Sequence, residues 1–313
     1  MKSCATASQV LGEPLAATAA TAPTWLLVEQ PGPWGAKALT ASHLDPELGA
    51  ALDRAAAPHG VRVALIRRPG RHADPGGRAP RRLYLAHTLP GDSWIRTTEV
   101  PGQPQDLLDL DFAALGRGDA TAAGPGWEPH HGEPLALVCT NGKRDRCCAL
   151  LGRPLAAELA ASAAADVWEV THLGGHRFAP TLLVLPYGYA YGRIGAHTVK
   201  DVLDAVRRGQ VLTGSCRGRS AWDRPGQAAD LAVRARVREP RAGALTVTGT
   251  EPDGEGRWSV GVAHTDGRRW RVRVAAVPGV EAPASCGAAP GTADRMHVEA
   301  VEECARGTAD GRA

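Results

Sequence analysis

CTNGKRDRCCALLGRPL (residues 139–155) and WEVTHLGGHRFAPTLLVLPYGYAYGR (residues 168–193) are the stretches on which the reading of this chain turns. In the first, Cys139 closes a short apolar run, Leu135-Ala-Leu-Val138, that reads as a buried strand. Cys147 and Cys148 precede an Ala/Leu-rich segment, 149–165, whose regular helix starts near Pro154 because proline suits only the first helical turn. In the second, Asp166-Val-Trp-Glu-Val170 reads as a strand running into His172. Thr181-Leu-Leu-Val-Leu185 reads as another, followed by a Tyr/Gly-rich turn from Pro186 to Arg193 and a helix from His197 to Arg208. The order β-α-β-β-α is that of the second part of a thioredoxin-like fold, with Pro180 at the place of its cis-proline.

Upstream, a similar alternation recurs. Thr24-Trp-Leu-Leu-Val-Glu29 is a strand closed by a Pro/Gly turn, Gln30 to Gly35. Pro46 to Ala57 is a helix, with Asp45 as N-cap and proline at the first position. Gly60 to Arg67 and Arg81 to Ala86 are strands, and Leu107 to Leu115 a helix. No internal repeat is visible residue by residue. Residues 1–22 read as a loose leader. Downstream, a helix is expected from Gln227 to Arg238. Leu245-Thr-Val-Thr, Trp258-Ser-Val-Gly-Val and Trp270-Arg-Val-Arg-Val274 alternate with period two, which predicts an antiparallel meander with one wet face. From Val277 the pattern fades and a tail is expected. The class is therefore α/β (α+β): two thioredoxin-like domains, 1–120 without cofactor and 130–225 with the site, and an extension of helix, meander and tail at 226–313. The Gly/Pro-rich stretch from Gly116 to Pro134 marks the boundary.

Of the 36 basic residues only Lys2, Lys37, Lys143 and Lys200 are lysine, and Asn141 is the only asparagine. With a net charge of +3 this is a coding bias rather than a basic surface, and it argues against nucleic acid as partner. No signal-peptide pattern and no apolar run of membrane-spanning length is seen, so the expected compartment is the cytoplasm, with no membrane partner. Seven cysteines, an odd number, lack the spacing of a disulfide scaffold and read as functional thiols.

Cys139, Cys147, Cys148, His172 and His176 follow two successive strands, and loops at the carboxyl ends of strands converge on one sheet edge. Four such side chains suffice for tetrahedral zinc or for a two-iron cluster with two ligands per iron. Gly174-Gly175 between the histidines excludes the helical zincin pattern and indicates a binding loop. Arg144, Arg146 and Arg177 would surround it with positive charge. There is no Cys-x-x-Cys, dinucleotide fingerprint or Walker motif. Cys4, Cys216, Cys286 and Cys304 stand isolated and read as structural or incidental.

The same stretches, with Leu183-Val-Leu-Pro-Tyr-Gly188, resemble the sucrase/ferredoxin-like family. Trp25-Leu-Leu-Val-Glu29, Pro31-Gly-Pro-Trp-Gly35, Ile66-Arg-Arg-Pro-Gly-Arg71 and Arg217-Gly-Arg-Ser220 support it. The resemblance implies a [2Fe–2S] cluster held by Cys139, Cys148, His172 and His176, with Cys147 as spare thiol or rival ligand and no metal role for Asn141. Mixed ligation of this kind raises the potential, as in Rieske centres, and makes it depend on pH. No paired carboxylates support a sucrase activity.

The functional expectation is thus an electron-transfer protein, a redox carrier rather than a self-sufficient enzyme. Its partner is a redox protein, a flavin reductase being one candidate. Two other readings use the same residues: a structural zinc protein, and a metal-free thiol oxidoreductase acting through Cys139 or Cys147.

Overall fold

The computed structural model describes residues 3–70, 79–162 and 165–305. A short helix, α1 (Cys4–Val10), precedes the first unit, which consists of β1 (Thr24–Glu29), α2 (Pro46–Ala56), β2 (Val61–Arg67), β3 (Pro80–His87), β4 (Trp94–Pro101) and α3 (Phe112–Gly116). The N-terminal segment is therefore not a loose leader: Cys4, Ala5 and Ser8 of α1 are buried. Asp45 caps α2 as its sequence demands, its Oδ1 accepting from Glu47 N at 2.8 Å and Leu48 N at 3.2 Å. The helix expected over 107–115 is broken: a 3₁₀ turn at Gln105–Asp109 and α3 flank Leu110, because Asp111 caps the Ala114 amide and restarts the chain.

A two-residue strand, β5 (Glu128–Pro129), lies between the units. The second unit contains β6 (Leu135–Cys139), α4 (Arg153–Ala161), β7 (Asp166–Val170), β8 (Thr181–Leu185), β9 (Tyr189–Gly192), α5 (Ala196–Arg207) and β10 (Cys216–Arg219). The Tyr/Gly-rich stretch expected as a turn is mostly β9, whose residues are all buried. The Ala179–Pro180 and Leu185–Pro186 peptides are both cis.

All ten strands form one mixed sheet in the order β10-β9-β8-β6-β7-β2-β1-β3-β4-β5. The order β2-β1-β3-β4 in the first unit is repeated as β7-β6-β8-β9 in the second, with the same directions: the first pair parallel, the others antiparallel. The repeat lies in topology, not in residue identity. The units meet where β2 and β7 pair antiparallel over only Ile66↔Val170 and Arg67↔Glu169.

At this seam the sheet folds on itself. Tyr84 of β3 and Trp168 of β7 lie edge to face with ring centroids 5.8 Å apart, although three strand steps in a flat sheet would separate them by ~14 Å. The inward residues of both units, among them Trp25, Leu27, Ile66, Leu137, Trp168 and Leu183, form one apolar cluster. On the outer faces, α2 and α3 cover Leu26, Val28 and Leu65, while α4 and α5 cover Ala136, Val138 and Val184. Both sheet faces are thus dry, which is why β1 and β6 are continuous apolar runs. Each fully buried leucine contributes ~1.5–3 kcal/mol.

The extension begins with α6 (Arg224–Val237), which packs on a four-stranded antiparallel sheet of β11 (Leu245–Pro252), β12 (Arg257–His264), β13 (Arg269–Pro283) and β14 (Pro290–Glu303) around Val233, Val260, Trp270 and Val272. The tail expected from Val277 is instead the end of β13 and all of β14. Register shifts at Arg273/Val274 and Pro278/Glu281 break the period-two pattern that would have revealed it.

Candidate metal centre

Strand β6 delivers Cys139 to its last position, paired with Val170 at the end of β7. Cys148 returns to it through one π-helical turn, Cys148–Gly152, that leads into α4. Gly152 permits that return, since a Cβ there would sit 2.2 Å from Cys139 O. Cys139 and Cys148 join the same apolar cluster, whereas Cys147 turns to a different one with Cys4 and Ala179.

Beyond β7 the chain continues along β2. Thr171 N donates to Leu65 O at 3.0 Å, Leu65 N donates to Thr171 Oγ1 at 3.1 Å, and Arg62 donates to His172 O at 2.6 Å. The loop then reverses on Gly174 (φ +79°) and Gly175 (φ +67°), a backbone region that favours glycine, and enters a 3₁₀ turn at His176–Phe178. The reversal brings the imidazoles of His172 and His176 together, centroids 5.4 Å apart and planes tilted by 34°. Each Nδ1 is buried and has no hydrogen-bond partner. An unpartnered buried ring nitrogen is costly, and nitrogens and thiols are side chains that can ligate a metal.

The electrostatics divide the two thiols. A hydrogen bond from Cys148 pulls Cys139 well below the usual thiol range against the effect of burial, and contacts with His172 and the Leu173 amide add to it. That same bond, with burial, holds Cys148 far above it, so Cys148 keeps the proton the pair shares. Cys139 Sγ also lies 3.0 Å from Thr171 O, to which its thiol donates when protonated. Burial lowers His176 and keeps it neutral. The nearby cations differ from those expected. Arg144 and Arg146 are exposed, and Arg177 is paired with Glu13 at 2.6 Å. Arg62 and Arg217 stand in their place: burial lowers both, Arg217 to about 10, and the Cys139 charge partly offsets the effect.

Arg217 is 1% exposed and holds the histidine loop from behind. It donates to Gly174 O at 3.0 Å, to Thr18 Oγ1 at 3.1 Å and to Thr18 O. The Arg217-Gly-Arg-Ser220 motif is therefore a clamp, and Arg219 repeats the device on Thr88 O at 2.6 Å and Ala242 O at 2.8 Å. A second frame crosses the seam. Arg67 Nε meets Glu169 Oε2 at 2.9 Å, Thr140 Oγ1 donates to the same oxygen at 2.8 Å, and Arg67 also donates to Gly32 O at 2.6 Å while stacking on Trp34 at 3.9 Å. Asn141 donates to Gly35 O at 3.0 Å. The Pro31–Gly35 and Ile66-Arg67 motifs, distant in sequence, thus brace the loops that carry the cysteines and histidines.

Three residues at the centre were not foreseen. Cys4 and Cys286, read as incidental, meet Cys147: the Sγ separations are 3.4 Å for Cys4–Cys147, 3.5 Å for Cys4–Cys286 and 3.1 Å for Cys147–Cys286. Asp145, 4% exposed, lies among them, 3.7 Å from Cys4 Sγ and 3.7 Å from His176 Nε2. The β13–β14 hairpin carries Cys286 over the site. Only the Arg-Asp pair within the Cys139–Cys148 loop hinted at Asp145. Nothing in sequence spacing links positions 4, 147 and 286.

A two-unit α/β protein with buried cysteines and two close histidines at its seam is what these elements define. The chain belongs to the sucrase/ferredoxin-like family, whose model matches residues 15–218. No curated protein and no solved structure matches it. Among the described residues no helix is long and apolar enough to cross a membrane.

Proposed function

We propose that this protein is an electron carrier that holds a [2Fe–2S] cluster through Cys139, Cys148, His172 and His176, on a thioredoxin-like unit. The observation that carries the reading is the pair of buried, unpartnered Nδ1 atoms on His172 and His176 beside the Cys139–Cys148 thiols. Two thiolates and two neutral imidazoles match the mixed ligation that such clusters accept. When bound, the cluster supplies a one-electron couple of higher potential than an all-thiolate centre. The chain supplies the rest. Arg217 and Gly175 fix the histidine loop, the Arg67–Glu169 frame fixes the cysteine loop, and Asp145 attracts a proton at His176 Nε2. His172 borders a cleft of about 590 Å³ that is also lined by Lys37, Arg54, Arg62 and Arg144 against a single acid, Asp53. That basic rim suits an acidic redox partner, a flavin reductase being one such class, and the electron leaves past His172.

Anaerobic purification and assay of iron, sulfide and visible charge-transfer bands test the reading. Expected are equal iron and sulfide with colour that is lost in His172→Ala, and that persists at lower potential in His172→Cys. Colourless protein with zinc bound by two sulfurs and two nitrogens would refute it, as would a metal-free chain with a reactive thiol.

A further inference from the structure

Beside the proposed cluster lies a second, separate set of donors. Cys4 comes from α1, Asp145 and Cys147 from the loop after β6, and Cys286 from the tip of the β13–β14 hairpin. Their four donor atoms all lie within 4.8 Å of one another. Cys4 and Cys147 are each 1% exposed. The three sulfurs, 3.1–3.5 Å apart, are too distant for a disulfide and form a triangle rather than a pair. A tetrahedral ion with bonds of ~2.3 Å holds its sulfurs ~3.8 Å apart, so the triangle must widen by about 0.3–0.7 Å along its edges, within reach of side-chain rotation, to fit one.

Asp145 supplies the electrostatic argument. Its Oδ1 accepts from Cys147 N at 2.8 Å and its Oδ2 from Cys286 N at 2.8 Å. Each oxygen retains a lone pair after these bonds. Among the described residues no lysine or arginine pairs with Asp145, and His176 is its only basic neighbour. At 4% exposure the carboxylate is hydrogen-bonded by both amides and lies 3.7–3.8 Å from the Cys4 sulfur, which places an anionic oxygen among the three thiols. The two amides bond different oxygens and so fix the carboxylate's orientation, as orienting bonds do around a metal ligand.

We propose that Cys4, Cys147, Cys286 and Asp145 form a structural zinc site that ties α1 and the β13–β14 hairpin to the loop between β6 and α4. Three thiolates and one carboxylate give a closed four-coordinate set without an open position, the mark of a structural rather than a catalytic ion. Thiolates select a thiophilic divalent cation over magnesium or calcium. The site also explains why the spare thiol Cys147 faces away from Cys148.

The test is zinc K-edge absorption and metal analysis on the full chain purified without chelator. About one zinc per chain, with three sulfurs at ~2.3 Å and one oxygen at ~2.0 Å, is the expected result. That zinc should persist in Cys139→Ser and be lost in Cys286→Ser. Should Cys286→Ser fail to fold, cobalt(II) exchanged into the wild-type chain serves instead, with thiolate charge-transfer bands expected. Zinc with two sulfurs and two nitrogens would overturn the proposal, because it would lie at His172 and His176. So would a Cys147–Cys286 disulfide in freshly isolated protein, or alkylation of all three thiols in the folded chain. A colourless protein that retains the three-sulfur zinc would refute the electron-carrier reading and leave this site standing.

Discussion

Replacing Gly175 by alanine separates two roles that the glycine pair plays, and Gly174 provides the control. Both residues have positive φ, +79° and +67°, so alanine at either suffers similar left-handed strain of ~1–2 kcal/mol. The space around them differs. A Cβ on Gly174 meets nothing closer than Ala20 Cβ at 3.9 Å. A Cβ on Gly175 would lie 2.2 Å from an Arg217 terminal nitrogen and 2.7 Å from its Cζ. That guanidinium must move, and it loses its bond to Thr18 O. A hydrogen bond from a buried charged group is worth ~1.5–3 kcal/mol. Gly174→Ala is therefore expected to destabilise by ~1–2 kcal/mol and Gly175→Ala by ~3–5 kcal/mol. Urea unfolding of both variants gives the comparison, with midpoint shifts at unchanged slope reporting stability alone. On the proposed cluster reading, Gly175→Ala should also bind less iron than Gly174→Ala, since the displaced arginine no longer holds the histidine loop. Equal midpoints would refute the clamp, and so would recovery of nothing when Gly175→Ala is combined with Arg217→Ala.

Across the seam, Glu169→Gln leaves Arg67 buried without its countercharge and should cost about 3–5 kcal/mol, while the double variant with Arg67→Met should recover part of this in the same assay. His87 is 1% exposed, bonds Thr24 Oγ1 at 2.8 Å, and is lowered by burial below its ordinary value. A depressed folded pKa means that its contribution is fully present above the unfolded value of ~6.5 and is lost as pH falls through that value toward the folded one. The stability difference between wild type and His87→Gln should therefore shrink as pH falls from neutrality, as thermal melts at several pH values would show. A difference independent of pH would exclude a neutral buried imidazole.

The apolar runs made β1, β6, β7 and β8 legible because both sheet faces are covered, and run length alone then marks a strand. Strand β9 was obscured by its Tyr/Gly alternation, which resembles turn chemistry. Strands β4 and β10 were hidden too: β4 shows mixed polarity, and β10 is the Cys216–Arg219 segment, whose arginines are buried by hydrogen bonds rather than by apolar patterning. At the candidate centre, the family resemblance singled out Cys139, Cys148, His172 and His176, and local spacing places the members of each pair near one another. The sequence concealed Cys4 and Cys286, whose meeting with Cys147 depends on α1 and a hairpin arriving from opposite ends of the described chain. The clamp was also indirect. The arginines near the site in sequence, Arg144 and Arg146, face solvent, while those that act on the loops, Arg62 and Arg217, come from other elements.

The covering hairpin sets an order of events during synthesis. Cys286 leaves the ribosome about 110 residues after His176, a lag of roughly 6–22 s at the usual elongation rates. During that interval the Cys139–His176 donor set can assemble while its cover has not yet been made. Loading of the proposed centre would have its window on the nascent chain, before the hairpin closes it. On the proposed cluster reading, chains halted before Pro278 should take up iron faster than the finished protein, and release it faster to a chelator.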